Sequence, residues 1–174
     1  FKLNKKNILL TFHPVTLENA TAKEQFKELI DAIDELDNTT IIFTKANSDT
    51  YGRVINQMID EYVVKNSHKS ISFISLGQLR YLSALQFVDV MIGNSSSGLA
   101  EAPTFKIGTI NIGDRQKGRV RANSVIDCIS NKKSILEAFI KLYSKEFQDA
   151  LLYVQNPYGD GCTSKKIIEE IKKV

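Results

Sequence analysis

Cysteine occurs only twice in this chain, at Cys128 and Cys162, and the two form no C-x-x-C pair. That spacing leaves no basis for a disulfide framework and fits a reduced, cytoplasmic setting in which both are simply small residues. No apolar run approaches the ~20 residues needed to cross a bilayer, so no membrane is expected as a partner. Neither sign of charge dominates: Lys and Arg number 23 against 20 for Asp and Glu, and the basic residues are scattered apart from the cluster Arg115 to Arg121. A nucleic-acid surface therefore has little support, and a small anionic ligand fits better. Two common phosphate-binding signatures are missing as well. There is no G-x-x-x-x-G-K-[ST], which disfavours a P-loop hydrolase, and no G-x-G-x-x-G after the first strand, which disfavours a dinucleotide-binding domain. His13 and His68 are far apart, His68 reads as a surface residue, and no metal cluster or cofactor is expected. The chain opens at Phe1 rather than Met, which reads as a fragment of a longer protein.

What is present is a core-forming pattern. With 43% hydrophobic and 25% charged residues over 174 positions, the prior is one globular domain spanning 1–174. Apolar runs of strand length alternate with segments of helical period, which argues for parallel βαβ units and an α/β fold. Expected strands are Ile8 to Phe12, Thr40 to Thr44, Ile71 to Ile74, Val88 to Ile92, Thr109 to Ile112 and a short one at Ser124 to Asp127. Expected helices run from about Ala22 to Leu36, opened by a Thr21/Glu24 capping box, then Tyr51 to Val64, Gln78 to Gln86, Ile135 to Tyr143, and Ser164 to Lys173. The stripe Val54, Ile55, Met58, Ile59 and Tyr62 reads as core, and Ile167, Ile168 and Ile171 are expected to face inward. Right-handed crossovers would wind this series into an open, doubly wound, Rossmann-like sheet that binds ligands outside the carboxyl ends of its strands.

That rule selects the candidates. The fourth strand runs directly into Gly93-Asn94-Ser95-Ser96-Ser97-Gly98-Leu99-Ala100-Glu101 and an apparent helix. A helix start presents unpaired N–H groups and a positive dipole end, favouring an anion by about 0.3–1 kcal/mol, and the serines add hydroxyls. One serine there would read as an ordinary cap; three between glycines read as a ligand seat. Strand one leads to His13-Pro14, a loop residue or a proton donor and acceptor near neutral pH. Strand two leads to Lys45-Ala46-Asn47-Ser48-Asp49, where Asn47 and Asp49 are a cap and turn pair or ligand contacts. After strand three, Ser75-Leu76-Gly77-Gln78 offers peptide groups to a planar ligand. Glu101 lies one helical turn beyond Ser97 and has acceptors suited to a ribose diol, unless it simply faces solvent. Arg115 follows Gly113 at a strand end, where a guanidinium suits bidentate phosphate contact, or belongs to a solvated basic loop.

Together, Phe12-His13-Pro14-Val15-Thr16, the run Ile92 to Gly98 through Glu101-Ala102-Pro103, Thr109 to Arg119, and Tyr158-Gly159-Asp160-Gly161 resemble the C-terminal half of UDP-N-acetylglucosamine 2-epimerases. The match is to the hydrolysing branch that makes N-acetylmannosamine for sialic acid synthesis, and it spans essentially the whole chain. The resemblance implies a GT-B arrangement of two Rossmann-like domains across a cleft, the second holding most of the nucleotide. It places Ser95 and Ser96 at the diphosphate, Glu101 at the ribose, Arg115 at the phosphates, the backbone near Leu76 at the uracil, Asn47 at another UDP contact, and His13 at the domain cleft beside the reacting sugar. It implies elimination of UDP to a glycal that is then hydrated, with the proton-transfer carboxylates on an N-terminal domain absent from this chain. UDP or UDP-N-acetylglucosamine, that missing domain and further copies of the full-length protein are the implied partners. Alternatives are a GT-B glycosyltransferase donor domain, an epimerase acting on UDP-N,N'-diacetylbacillosamine, and a non-catalytic interaction module.

Overall fold

The hydrophobic alternation is realised as one parallel sheet. The computed structural model describes residues 2–15, 21–47, 51–159 and 161–173. Its strands are β1 (Lys6–Thr11), β2 (Thr39–Thr44), β3 (Ser70–Phe73), β4 (Val90–Gly93), β5 (Gly108–Ile112) and β6 (Val125–Cys128). They pair in the order β3-β2-β1-β4-β5-β6, every pairing parallel. This is the doubly wound order, and its direction reverses between β1 and β4, so a crevice opens beyond the carboxyl ends of those two strands. The helices are α1 (Ala22–Ile33), α2 (Gly52–Lys65), α3 (Gly77–Ala84), α4 (Ser97–Ala100), α5 (Lys132–Leu142), α6 (Lys145–Leu151) and α7 (Thr163–Ile171), with a 3-10 turn over Ala102–Phe105.

Both faces of the inner strands β2, β1, β4 and β5 are covered, which is why they read as largely apolar runs, whereas the edge strands β3 and β6 are only partly buried. Ile8 and Leu10 point to one face and Leu9 to the other, and all three are fully buried. On the first face they meet Phe26, Leu29 and Ile33 of α1, Ile55 and Ile59 of α2, and Ile135, Phe139 and Leu142 of α5. On the second, a smaller cluster joins Leu9 and Met91 to Leu85, Ala102 and Ile107, with Tyr81 and Leu82 of α3 against it. The α2 stripe is core at Ile55, Ile59 and Tyr62, with Met58 partly buried, whereas Val54 is exposed.

Four expectations are corrected. Thr21 makes no side-chain cap: its backbone is already helical, its carbonyl accepts from Gln25 N–H at 2.9 Å and its hydroxyl accepts from Gln25 Nε2 at 3.2 Å, so the Thr21/Glu24 capping box does not form. α1 also stops at Ile33 rather than Leu36. The helix after the serines is a single turn, because Pro103 cannot continue the α hydrogen-bond ladder and the chain passes into a 3-10 turn that ends with Lys106 left-handed at φ 56°. Ile167, Ile168 and Ile171 of α7 do not face inward: they are 52%, 52% and 67% exposed. α6 was not expected; its start is a clear cap, Ser144 Oγ accepting from Phe147 N–H at 3.2 Å.

Candidate functional site

Each strand exit is shaped by local sequence. At the end of β1 the buried Phe12 packs on Phe26 with ring centroids 5.7 Å apart, and Pro14 is buried, so His13 is held half-buried between two anchored neighbours. At the end of β4, Gly93 takes φ 132°, and a Cβ there would lie 1.9 Å from the Thr11 carbonyl oxygen. Only glycine lets the two chains approach so closely.

The serine loop follows. Ser95 Oγ accepts from Ser97 N–H at 3.4 Å, and the Ser96 carbonyl accepts from Leu99 and Ala100 N–H, both at 3.0 Å. Ser96 stands at the cap position of α4 but its hydroxyl caps nothing. Among the described residues, the backbone N–H groups of Ser95 and Ser96 donate to no protein acceptor. Unpaired donors beside two hydroxyls are what an anion requires.

A cleft of about 500 Å³ lies over these exits, lined by Asn47, Leu76, Gly77, Tyr81, Ser95, Ser97 and Glu101 among others. The structure therefore brings together four of the expected site residues, Asn47, Leu76, Ser95 and Glu101, on one cleft. Ser96, His13 and Arg115 do not line it but adjoin it. Ser96 is next in the loop, His13 Nδ1 accepts from Asn47 N–H at 3.4 Å, and Arg115 Nη1 donates to the Asn94 carbonyl at 3.1 Å. Asn47 does not cap α2, whose cap position is Tyr51. Thr16, Ser48, Asp49 and Asp160 lie outside the described residues. Gly77, at φ 64°, turns the chain after Leu76 as its position led one to expect.

The floor is rich in hydroxyls. Thr11 and Thr44 share a short hydrogen bond between their side-chain oxygens, and Tyr81 reaches Met91 Sδ at 3.7 Å. Burial pushes the Tyr81 phenol up to about 12, the negative charge of Glu101 adds to the rise, and hydrogen bonding to Ser97 and Thr11 offsets part of it. Tyr81 is thus a neutral donor at any physiological pH. Glu101, fixed by its N–H donating to the Ser97 carbonyl at 2.9 Å, has a buried Oε2 with no hydrogen-bond partner. Lys45 at the cleft wall is occupied by Asp60, its Nζ 2.6 Å from Oδ1.

Sequence reasoning missed Tyr81 as part of this region and gave Ser97, Asn94 and Gln116 no individual role. Ser97 and Asn94 were inside the recognised run, so their signal was present. Tyr81 reads from sequence as an ordinary apolar helix position, and Gln116 as one polar residue in a basic loop. No group of three His, Cys, Asp or Glu among the described residues could hold a metal ion, and no described helix is long and apolar enough to cross a membrane. Cys128 is partly buried and Cys162 exposed, both free; burial lifts the Cys128 thiol to about 12. His68 is exposed, as expected.

Comparison with known proteins places this geometry. The chain is 48% identical over 147 residues to the GDP/UDP-N,N'-diacetylbacillosamine 2-epimerase (hydrolyzing) of Campylobacter jejuni, covering 84% of this chain and 38% of that protein. It is 39% identical over 157 residues to the polysialic acid biosynthesis protein P7 of Escherichia coli, covering 90% and 40% respectively. Among solved structures, the Neisseria meningitidis UDP-GlcNAc 2-epimerase bound to UDP-GlcNAc superposes with TM-score 0.79 at 19% identity, covering 97% of this chain and 45% of that one. A C-terminal domain of a glycosyl transferase group 1 protein from Francisella tularensis shares the fold at TM-score 0.57 and 12% identity, with 90% and 84% covered. The expected Rossmann-like GT-B-type fold is therefore the fold found, and the chain spans less than half the length of the epimerase relatives it matches. The model of the UDP-N-acetylglucosamine 2-epimerase family matches residues 2–172, and this chain belongs to that family.

Proposed function

We propose that this chain is the UDP-binding portion of a hydrolysing UDP-N-acetylglucosamine 2-epimerase. The observation that carries the reading is Glu101: a half-buried carboxylate that lines the cleft at the topological switch point and keeps one buried oxygen without a donor. Buried acceptors are normally satisfied, and the two hydroxyls of a ribose supply the donors this one lacks. With the ribose there, the diphosphate falls to Ser95, Ser96, their unpaired amides and Arg115. The uracil falls to the backbone near Leu76, with Asn47 a further contact. His13 stands next to the phosphates and the sugar.

In the reaction proposed, UDP leaves with the electrons of the C1–O bond as the proton on C2 is removed, and water adds to the resulting glycal to release the free 2-epimeric sugar. Charge develops on the departing diphosphate, so donors fixed in place before the reaction stabilise that transition state more than the ground state. The proton-transfer carboxylates are assigned to an N-terminal domain of the full-length protein, which we take to be a cytoplasmic homo-oligomer. A second sugar is favoured by a specific observation. Two relatives, at 48% and 35% identity, are named for UDP-N,N'-diacetylbacillosamine, so that substrate competes with UDP-N-acetylglucosamine on which N-acetylmannosamine formation and a sialic acid role depend.

Titration calorimetry of this chain with UDP should show saturable heat, and the chain alone should release no UDP from either sugar nucleotide. Absence of heat would leave the interaction-module reading. For the full-length protein, a free 2-epimeric sugar formed without any acceptor separates epimerase from glycosyltransferase, and which of the two sugars is turned over faster settles the substrate.

A further inference from the structure

We propose that Asn94 is a positioning residue that locks the exits of β1, β4 and β5 together around the serine loop. The β1–β4 ladder ends where Thr11 pairs with Gly93, and the last main-chain bond is Asn94 N–H to the Thr11 carbonyl at 3.2 Å. Beyond that point the chains part, because the connections after β1 and β4 leave for opposite faces of the sheet. The Asn94 side chain supplies the next rung in place of backbone. Its Oδ1 accepts from His13 N–H at 2.7 Å and its Nδ2 donates to the His13 carbonyl at 2.7 Å. A side-chain amide carries the same donor and acceptor pair as a peptide group, which is why it can stand in for one.

The Asn94 carbonyl, meanwhile, faces the third exit. It accepts from Arg115 Nη1 at 3.1 Å and from Gln116 Nε2 at 2.8 Å, so both of its lone pairs are engaged. Asn94 and Gln116 are each only 1% exposed, so the bonds between them form in a low dielectric that strengthens them, while Gln116 Oε1 is buried without a partner. One residue thus fixes where His13 stands relative to Arg115, with the Ser95 and Ser96 amides directly after it in sequence. Each of its polar atoms already has a protein partner and the residue is almost wholly buried, so its role is through His13, Arg115 and the loop. The close approach at Gly93 is what brings Asn94 within reach of His13.

Hydrogen exchange and UDP affinity of the full-length protein test this. Asn94→Ala should speed exchange of the His13 amide tenfold or more relative to the amides of Lys6–Thr11, whereas simple loss of stability would speed both in proportion. Asn94→Asp keeps the acceptor and loses the donor, so it should give the same selective acceleration to a smaller extent, and it serves if the alanine variant does not fold. Proportional acceleration, or none, overturns the proposal. Gln116→Met keeps the volume and removes one donor to the Asn94 carbonyl, and should weaken UDP binding threefold or more. An unchanged Kd against a wild type that binds UDP overturns the link to β5. This affinity arm rests on the UDP reading. If the wild type binds no UDP, that reading fails and the exchange arm decides the proposal by itself.

Discussion

Glu101, assigned above to the proposed UDP site, is held against the interest of the fold. A buried carboxylate oxygen with no donor destabilises the unliganded chain, because a lost hydrogen bond to a buried polar group costs about 1–3 kcal/mol. Sites of this kind are retained for function, and removing them tends to help stability. Glu101→Ala is therefore expected to leave the unfolding free energy unchanged or raised, while UDP binding weakens by about 1–3 kcal/mol. Urea titration followed by calorimetry on the same preparation checks both halves. A large loss of stability would mean that Glu101 is structural and its unpartnered oxygen incidental. Tyr81 belongs to the same local environment: its phenol stays neutral well above physiological pH, so it can donate to a ligand oxygen but cannot act as a base there.

At the scale of elements, the strands were the most legible part of the sequence. All six lie within two residues of their expected positions; the inner strands, buried on both faces, are written as largely apolar runs, and the edge strands β3 and β6 as short apolar-rich segments between turns. The order of the sheet and the rim of polar strand exits follow from handed connections, and so Asn47, Leu76, Ser95 and Glu101 could be placed on one cleft before any geometry was known. Helix ends were less legible. Thr21 had the residue type of a cap without the conformation, and Pro103 shortened the helix after the serines to one turn. Asn94 was visible as a letter, yet its role depends on the distance between β1 and β4, which no local pattern records. That distance rests on Gly93. Its φ of 132° and a Cβ position 1.9 Å from the Thr11 carbonyl oxygen mean that a methyl group forces the strands apart. Gly93→Ala should destabilise by more than the roughly 0.5–3 kcal/mol of an ordinary substitution. Gly98→Ala should do less, since its φ is not left-handed and its Cβ would meet the Thr109 side-chain methyl at 2.5 Å rather than backbone, at the expense of the Thr109 hydrogen bond to the Gly98 carbonyl. Chemical denaturation of the two variants side by side gives the comparison, and equal losses would remove the special standing of Gly93.

For the whole molecule, the most informative element is the one that fits least well. α7 carries Ile167, Ile168 and Ile171 on a helix none of whose described residues is buried, although its sequence has the period of a core-facing helix. Propensity and pattern fixed its type correctly; what its apolar side should pack against is not supplied by the other described residues. Because the chain spans less than half the length of the epimerase relatives it matches, the two-domain reading supplies a cover: the remainder of the full-length protein. The consequence is a difference between two preparations. In the 174-residue chain, replacing Ile168 and Ile171 together by serine should change the unfolding free energy by no more than about 0.5 kcal/mol, as for exposed positions generally. In the full-length protein the same pair should lower stability by roughly 1–3 kcal/mol per residue, the scale of losing a buried aliphatic side chain. Urea unfolding of both forms, with and without the double substitution, reads the difference directly. If the loss is the same in both, the helix packs on its own domain and the exposed face has another explanation; if only the longer protein is weakened, α7 packs against a part of the full-length protein that lies outside this chain.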